Sequence, residues 1–388
     1  MNKYYYIYTF GCKVNQYESQ LISETMKKNN FQHTWLIEKA SLIIVNSCTV
    51  TAETDAKCIN LLDKLSKFNK STNIILTGCL SRNKSINLKS LYPNIHILTD
   101  KTKLFSNYSI KNFDFHSRAF VKIQDGCNHF CSYCIIPYIR NILYSKKFSV
   151  ILSEIQQLIS NGYFEIVLTG INLGEYEYGL ANLLEKLVTI PMNFRIRLSS
   201  IELNTIDNRI INILSNYPSK ICHHLHIPLQ SGSNPILQLM NRKYSAEEFL
   251  QKINAIFDNI PDLTLTTDII TGFPGETNEY HNETCKFLEK VNFAKLHIFK
   301  YSDRGITQAS LLRNKISPFI INKRARELRL INLKKNKYFI QKNFGIVRPA
   351  VQIGYNQALT DNYIKIPHKQ QAQEKGVFNV LVTKKATI

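Results

Sequence analysis

Three cysteines stand close together in the middle of the sequence. Cys127, Cys131 and Cys134 are spaced CxxxCxxC within the segment DGCNHFCSYC. Three thiolates on one short loop can hold three irons of a 4Fe–4S cluster and leave the fourth iron open to a small molecule. A zinc site usually needs a fourth ligand, which His129 could supply, and ferredoxin sites use four thiolates. The spacing favours an open iron–sulfur cluster, with zinc as the alternative.

A second group of cysteines is dispersed along the first eighty residues. Cys12, Cys48 and Cys79 each follow a predicted strand, in the segments YTFGC, IVNSC and LTGC, and are about one βαβ repeat apart. Because parallel strands bring their carboxyl ends to one edge of a sheet, we expect these thiols to converge on a second cluster. Three buried structural cysteines are the alternative. The remaining cysteines lie inside predicted elements without partners at ligand spacing and are interpreted as core or surface residues: Cys58, Cys222 and Cys285.

The elements that position the second group alternate between strand and helix patterns, which predicts a parallel α/β domain over residues 1–112. A polar segment rich in Asn and Lys, residues 101–115, is interpreted as a linker. The predicted strands are Tyr4–Phe10, Leu42–Asn46 and Asn73–Thr77, and the predicted helices are Gln16–Lys28 and Glu53–Phe68.

The elements around the CxxxCxxC segment repeat a strand–helix pattern over residues 113–330. Six such strands predict a (β/α) barrel that stops short of the eight units of a complete one. The predicted strands are Ala119–Gln124, Glu165–Thr169, Phe194–Ser199, His223–Pro228, Leu263–Ile270 and Ala294–Tyr301. The predicted helices are Val150–Ser160, Leu180–Val188, Thr205–Leu214, Ala246–Phe257 and Glu276–Lys290.

The last part of the chain, residues 331–388, has the pattern of a small all-β domain. Before it, the segment Lys323–Arg348 carries nine basic residues and one acidic residue and is predicted to form an amphipathic helix. The predicted strands of the tail are Gly345–Tyr355, Asn362–Ile366 and Val377–Thr383.

The overall composition is that of a globular chain with a basic surface. Its 388 residues include 49 Lys and Arg against 29 Asp and Glu, a net charge of +20. This charge favours a polyanionic partner such as nucleic acid, although general compositional drift toward lysine would also raise it. No apolar run approaches the roughly 18–20 residues that span a membrane, and no signal peptide is evident. We therefore expect a cytoplasmic protein, in which thiols stay reduced.

With both cysteine groups in place, the chain resembles the radical S-adenosylmethionine (SAM) methylthiotransferases from about residue 3 to residue 385. The resemblance implies an N-terminal parallel α/β domain, a partial (β/α)6 radical SAM barrel and a C-terminal domain like the RNA-binding TRAM domain. The segment TDNYIKI at 360–366 carries the TRAM likeness. The other supporting motifs are GCKVNQYES at 11–19, NSCTVTAE at 46–53, LTGINLG at 168–174, RLSSIE at 197–202, HIPLQSGS at 226–233 and TDIITGFPGET at 267–277.

The resemblance also implies cofactors and a reaction. SAM would chelate the open iron at Cys127, Cys131 and Cys134 and be cleaved to a 5′-deoxyadenosyl radical, while the second 4Fe–4S cluster would carry sulfur. The segments GCKVNQ (11–16) and CTVT (48–51) most resemble the branch that methylthiolates N6-threonylcarbamoyladenosine beside the tRNA anticodon, at position 37. The target hydrogen, on C2 of the purine, is not acidic enough for a side-chain base, so a radical route fits.

Four further residues are candidates for cofactor binding. Gly170 and Gly272 follow predicted strands and permit close approach of a ligand, with simple turns as the alternative. Arg197 could pair with the methionine carboxylate of SAM, or could form an ion pair within the protein. Gln230 could contact the cofactor or only shape its turn.

RNA contact is predicted for the basic segment 323–348 and for the tail. Tyr355 and Tyr363 could stack on bases and Lys365 could meet phosphate, with packing inside the β domain as the alternative for the tyrosines. The partners implied are the tRNA anticodon loop, an electron donor and a sulfur source, the last two unidentified, and no membrane.

The loop after Cys134 departs from the family's usual Pro-Tyr-Ala-Arg-Gly run, because residues 137–144 read PYIRNILY and lack the glycine and the later arginines. All six cluster cysteines are present, so we predict an active enzyme. The alternatives are methylthiolation of isopentenyladenosine in tRNA, methylthiolation of a ribosomal protein side chain, or a non-catalytic iron–sulfur RNA-binding protein.

Overall fold

The computed structural model describes residues 3–68, 72–105, 108–369 and 376–388. Its strands are β1 (Lys3–Thr9), β2 (Phe31–His33), β3 (Leu42–Ser47), β4 (Asn73–Gly78), β5 (His96–Ile97), β6 (Ala119–Lys122), β7 (Gln124–Asp125), β8 (Tyr144–Ser145), β9 (Glu165–Thr169), β10 (Arg195–Leu198), β11 (His224–His226), β12 (Thr264–Thr271), β13 (Phe293–Lys300), β14 (Val347–Gln352), β15 (Gln357–Thr360), β16 (Lys365–Pro367) and β17 (Phe378–Leu381). Its helices are α1 (Lys13–Lys28), α2 (Ala52–Ser66), α3 (Leu88–Leu91), α4 (Ile136–Ile139), α5 (Phe148–Ser160), α6 (Leu180–Val188), α7 (Asn208–Asn216), α8 (Asn234–Leu239), α9 (Ala246–Asn259), α10 (Asn278–Lys290) and α11 (Pro318–Asn343).

The N-terminal domain is a five-stranded sheet in the order β2-β1-β3-β4-β5, and every pairing is parallel. Helices cover both faces, which explains why β3 is apolar throughout its first four residues. Ile43 and Val45 pack with Leu62 of α2, whereas Ile44 points the other way and packs with Ile22 of α1. The predicted parallel α/β domain is confirmed; the sequence pattern missed β2 and β5, which are three and two residues long.

The middle of the chain forms the predicted partial barrel of six parallel strands. Two hydrogen-bonded sheets, β6-β9-β10 and β11-β12-β13, are joined by bridges from Ile196 to Ile221 and from Ser200 to His226. Within the described residues β6 and β13 do not pair, so the barrel has an open side. The N-terminal domain lies there: α1 packs on β6, and Arg304, beyond β13, donates to Thr49 and Asp55.

The long helix α11 links the barrel to the tail. It runs through the predicted domain boundary at 330/331 without a break and packs on α10 and β13, so the three domain limits remain predictions. The helix ends at Asn343, five residues short of the predicted segment, because Gly345 turns with a φ of +80° and Arg348 already belongs to β14. No helix in the described part of the chain is long and apolar enough to cross a membrane.

The tail is an antiparallel sheet in the order β16-β15-β14-β17, as expected for a small β domain. The strand predicted at Asn362–Ile366 instead starts with a turn, in which Tyr363 has a φ of +71°. This turn points the Tyr363 ring at the barrel, where it stacks on His224 at 4.5 Å. The prediction that Tyr363 stacks on RNA is therefore replaced by its alternative, packing within the protein.

A buried carboxylate joins the barrel to this tail. Glu165, at the start of β9, accepts hydrogen bonds from Arg118 (3.0 Å), Arg195 (2.8 Å) and Arg197 (2.8 Å). Arg195 and Arg197 also donate to backbone oxygens of the tail, at residues 349 and 359–361. Burial alone would raise the pKa of Glu165, but the three guanidinium groups hold it well below its usual range. The carboxylate is therefore charged at neutral pH.

Replacing this carboxylate should destabilise the fold. Glu165→Gln leaves the buried Arg195 and Arg197 and the half-buried Arg118 short of a counter-charge, and we expect the free energy of unfolding at pH 7 to fall by about 3–5 kcal/mol. Because the folded-state pKa is lowered, the contribution is present above the unfolded carboxyl pKa of about 4.3 and is lost as pH falls below it. Urea unfolding should thus show the two proteins converging at low pH. The control, Glu185→Gln, removes an exposed pair with Arg209 and should cost less than about 1 kcal/mol.

Candidate iron–sulfur and cofactor site

A cavity opens at the carboxyl ends of the barrel strands. Its volume is about 320 Å³, at the lower end of the roughly 300–1,000 Å³ of small-molecule sites. Residues from the ends of five barrel strands line it, and Val50 and Thr51 of the N-terminal domain complete its wall. The polar lining residues include His129, Asn172, Glu202, Gln230, Arg242, Asp268 and Tyr301.

The CxxxCxxC cysteines all lie in the wall of this cavity. Burial raises the pKa of Cys134 to about 12 and that of Cys127 to about 11, so these thiols are neutral unless a cation stabilises their thiolates. Cys131 accepts a hydrogen bond from Arg242 at 3.4 Å. All three are free thiols. Three adjacent, unpaired and half-buried sulfur ligands facing a cavity fit a metal cluster with one open position.

The His129 ring points to a carboxylate. Its Nε2 lies 2.7 Å from Glu175 Oε1, and this hydrogen bond raises the pKa of His129. The carboxylate occupies Nε2, so only Nδ1 of His129 remains as a possible fourth ligand to zinc.

The second cysteine group converges as its spacing predicted. Cys12, Cys48 and Cys79 follow β1, β3 and β4, which are neighbours in the parallel sheet. Burial, together with the neighbouring Cys79 and Cys12, raises the pKa of Cys48 to about 12, which places the three sulfurs within electrostatic range of one another. None forms a disulfide. Cys12 is also the N-cap residue of α1, where the helix dipole favours a thiolate.

Two glycines let these loops approach one another. Gly11 has a φ of +91°, and a Cβ atom there would lie 2.5 Å from Cys48 Sγ. Gly78 has a φ of +93° and packs against the backbone of Ser47. Both positions need the left-handed conformation and the missing side chain of glycine. The Asn15 side chain fastens the same loops by donating to the carbonyls of residues 10 and 47, each at 2.8 Å.

Arg140 connects the two cysteine groups. It follows Cys134 by six residues and is buried, with 3% of its side chain exposed. Its Nε donates to Cys79 Sγ at 3.3 Å, one Nη donates to Asn15 Oδ1 at 2.8 Å, and the other donates to Asp125 at 2.7 Å. The loop of the first group therefore supplies a cation and a hydrogen bond to the second. The Pro-Tyr-x-Arg segment was visible in the sequence, but this role was not predicted.

The guanidinium belongs to a buried ionic network. Glu18 accepts from Lys122 at 2.9 Å and from Arg140 at 3.1 Å, and it also pairs with Lys101. Burial would raise the pKa of Glu18, but these cations hold it below its usual range. Three cations against the carboxylates of Glu18 and Asp125 leave one positive charge beside Cys79. That excess favours thiolate ligands and an anionic cluster at this site.

Of the four predicted cofactor residues, only Gln230 lines the cavity. Gly170 packs against Gln124, and Gly272 faces Ile321 of α11 at a φ of +75°. Arg197 lies at the base of the barrel, where it donates hydrogen bonds to Glu165 and to a backbone oxygen of the tail. In these three cases a protein neighbour occupies the place that the sequence pattern suggested for a ligand.

Comparison with known proteins fits this geometry. Residues 121–288 match the radical SAM superfamily, and residues 4–100 match the family described as uncharacterized protein family UPF0004. The radical SAM methyltransferase TsrM from Kitasatospora setae, solved with cobalamin and a 4Fe–4S cluster bound, has a TM-score of 0.58 at 10% identity and covers 79% of this chain and 77% of its own. That likeness supports the fold. This chain is a radical SAM enzyme, as the barrel, the cysteine loop and the superfamily match together show. Its cofactors are SAM and 4Fe–4S clusters.

Closer relatives narrow the class. The threonylcarbamoyladenosine tRNA methylthiotransferase MtaB of Aquifex aeolicus is 33% identical over 96% of this chain and 98% of its own length. The tRNA-2-methylthio-N(6)-dimethylallyladenosine synthase of Thermoanaerobacter sp. is 32% identical over 91% of this chain and 82% of its own. The chain belongs to the radical SAM methylthiotransferase family.

The tight packing of the second cysteine group yields a first prediction for the site. Gly11→Ala should force the Cys12 and Cys48 loops apart and halve the iron bound after anaerobic reconstitution, from about eight to about four per chain. Gly162→Ala is the matched control: that glycine has a φ of +89° but nothing within 4 Å, so it should retain the wild-type iron content. Equal iron in both variants would contradict the proposed ligand set.

The Arg140 hydrogen bond yields a second prediction. Hydrogen bonds to sulfur and nearby positive charge stabilise the reduced form of a cluster, so Arg140→Gln should lower the midpoint potential of the cluster bound by the second group. The change is measured by EPR-monitored redox titration in a Cys134→Ala background, which removes the signal of the first cluster. Arg209→Gln, on the exposed face of α7, should leave the potential unchanged. An unshifted potential in Arg140→Gln would show that the contact with Cys79 is incidental.

Proposed function

We propose that this enzyme transfers a methylthio group to C2 of N6-threonylcarbamoyladenosine at position 37 of tRNA. The observation that carries the proposal is the pairing of two three-cysteine groups, of which the first lines the cavity and the second is joined to the first through Arg140. The cavity wall contains Cys127, Cys131 and Cys134 together with Thr51, which lies three residues beyond Cys48. The names of the full-length relatives support a tRNA substrate.

The two cysteine groups are proposed to hold different clusters. The group at Cys127, Cys131 and Cys134 would hold the cluster that reduces SAM, and the group at Cys12, Cys48 and Cys79 the cluster that supplies sulfur. The protein's own contribution is to position and seal the site. Glu202 fixes the Arg242 guanidinium against Cys131, and the N-terminal domain covers the open side of the barrel, which limits the access of water to a reactive intermediate.

The surface of α11 supports RNA binding. Within the predicted basic segment, Arg324 forms a buried ion pair with Glu276, and Arg348 forms one with Asp361. These two cations therefore stabilise the fold and are not available to RNA. Six cations of the helix remain exposed on its outer face: Lys323, Arg326, Arg329, Lys334, Lys337 and Lys342. Such a stripe suits the phosphate backbone of tRNA.

The tail offers a second contact to RNA. The Tyr355 side chain, in the turn between β14 and β15, is 84% exposed and free to stack on a base. The reaction also requires an electron donor and a sulfur source, and we expect it to take place in the cytoplasm, with tRNA as the macromolecular partner.

Turnover by the reconstituted enzyme tests the proposal. Anaerobic protein would be mixed with SAM, reductant and anticodon stem–loops whose position 37 carries threonylcarbamoyladenosine, dimethylallyladenosine or adenosine. Mass spectrometry of the nucleosides should show the methylthio product mainly with the first substrate, together with 5′-deoxyadenosine. Cys134→Ala should abolish both products. A preference for the dimethylallyl substrate would show that the enzyme acts like the dimethylallyladenosine synthases among its relatives. Release of 5′-deoxyadenosine without a modified RNA would favour a protein substrate.

A further inference from the structure

Inside the barrel, next to the cavity, lies a group of ionisable side chains that cluster binding does not require. His226, Asp268 and His297 come from the adjacent strands β11, β12 and β13. Asp268 Oδ1 lies 3.2 Å from His226 Nε2 and 3.3 Å from His297 Nδ1, and the two imidazole rings stack at 5.1 Å. Asp268 also lines the cavity. We call these three residues the lumen triad.

The lumen triad is held from below by the barrel floor. Thr266 Oγ1 lies 2.9 Å from His226 Nδ1 and 3.0 Å from His224 Nε2, and the His224 ring rests on Tyr363. Burial would raise the pKa of Asp268, but its hydrogen bonds with the two histidines keep it below the usual range. A charged carboxylate therefore stands at the boundary between the cavity and the lumen.

Lys13 adds a cation from the N-terminal domain. It follows Cys12 directly, is half-buried, and forms no ion pair or side-chain hydrogen bond within residues 3–68, 72–105, 108–369 and 376–388. Burial would raise the pKa of Tyr363, yet the charge of Lys13, with those of Arg118 and Arg197, lowers it. The ammonium is therefore within electrostatic range of the lumen floor. A half-buried cation without a counter-charge is suited to an anionic ligand.

The two purines named for the relatives differ in the chemistry that they would present to these groups. The threonylcarbamoyl group presents a urea, a hydroxyl and a carboxylate, whereas a dimethylallyl group presents only hydrocarbon. An alkenyl chain placed in this lumen would strip water from Asp268 and Lys13 without offering them partners, which is costly. The threonylcarbamoyl group offers a donor or an acceptor to each. Its urea N–H can close on N1 of the purine, which turns the amino-acid part toward the edge that carries C2.

We propose that the barrel lumen is the specificity pocket for the N6 substituent, in which Lys13 binds the carboxylate and the lumen triad binds the urea and hydroxyl. Lys13 is well placed for this role because it adjoins Cys12, one of the residues proposed to hold the sulfur-supplying cluster, and C2 must approach that cluster. The inference rests on the proposed function and specifies how the substrate is chosen.

A charge-removal cycle tests the role of Lys13. The substrates are two stem–loops, one with threonylcarbamoyladenosine and one with its carboxylate masked as the methyl ester. For wild-type enzyme, masking should lower kcat/KM about tenfold to a hundredfold, as expected for loss of a hydrogen-bonded charge. Lys13→Gln should lower kcat/KM for the free acid by a similar factor and leave the ester within about twofold. Lys13→Arg should recover part of the loss.

Binding without turnover provides an independent readout. Fluorescence anisotropy in the absence of reductant should show the same loss of affinity for the free acid in Lys13→Gln, and a weaker discrimination against the dimethylallyl stem–loop in His297→Gln. Iron content and EPR spectra of both variants should match the wild type. Lys28→Gln, at the far end of α1, is the matched control and should bind like the wild type.

The outcomes separate this inference from the proposed function. Suppose that wild-type enzyme modifies the threonylcarbamoyl substrate but Lys13→Gln lowers kcat/KM equally for the free acid and the methyl ester. The assignment of Lys13 to the carboxylate is then overturned, while the proposed function stands. If wild-type enzyme does not modify that substrate at all, the proposed function itself fails. If the wild type binds one equivalent of zinc or manganese and His297→Gln does not, the lumen triad is a cation site. That result would overturn its role in specificity.

Discussion

The hydrogen bonds of the Arg140 guanidinium hold together the parts on which the rest of this structure depends. One residue from the loop of the first cysteine group reaches a sulfur of the second, an amide of α1 and the carboxylates of the buried Glu18 and the half-buried Asp125. A buried guanidinium is stable only when its donors are satisfied, so the N-terminal domain and the barrel have one relative placement in which this network closes. That placement sets the second cysteine group beside the loop whose cysteines line the cavity.

The incomplete barrel allows the N-terminal domain to reach the cavity. A closed eight-stranded barrel fills its interior with side chains, whereas six strands leave a gap between β6 and β13. The N-terminal domain occupies the gap and contributes Val50 and Thr51 to the cavity wall. The tail closes the opposite end, where Tyr363 forms part of the floor. The N-terminal domain and the barrel therefore share the wall of the cavity, and the tail supports the floor of the barrel.

Much of this organisation could be predicted from the sequence because it follows from local rules. The convergence of Cys12, Cys48 and Cys79 needed only the rule that parallel strands end at one edge. Arg197 could not be placed in this way: its partners lie in the tail, 163 and 164 residues away, and only the folded structure shows it at the base of the barrel. Gly272 was predicted to contact a ligand, but it packs against Ile321 of α11. Nothing in the sequence near Gly272 indicates that this distant helix lies there.

The central claim, that both cysteine groups carry clusters facing one cavity, is tested most directly by anomalous diffraction at the iron edge from anaerobic crystals of the reconstituted enzyme. Our account predicts two iron centres, one bound by each group of three cysteines, with the cavity and the Arg140 side chain between them. A single iron centre, or two centres that open onto opposite surfaces of the molecule, would contradict it.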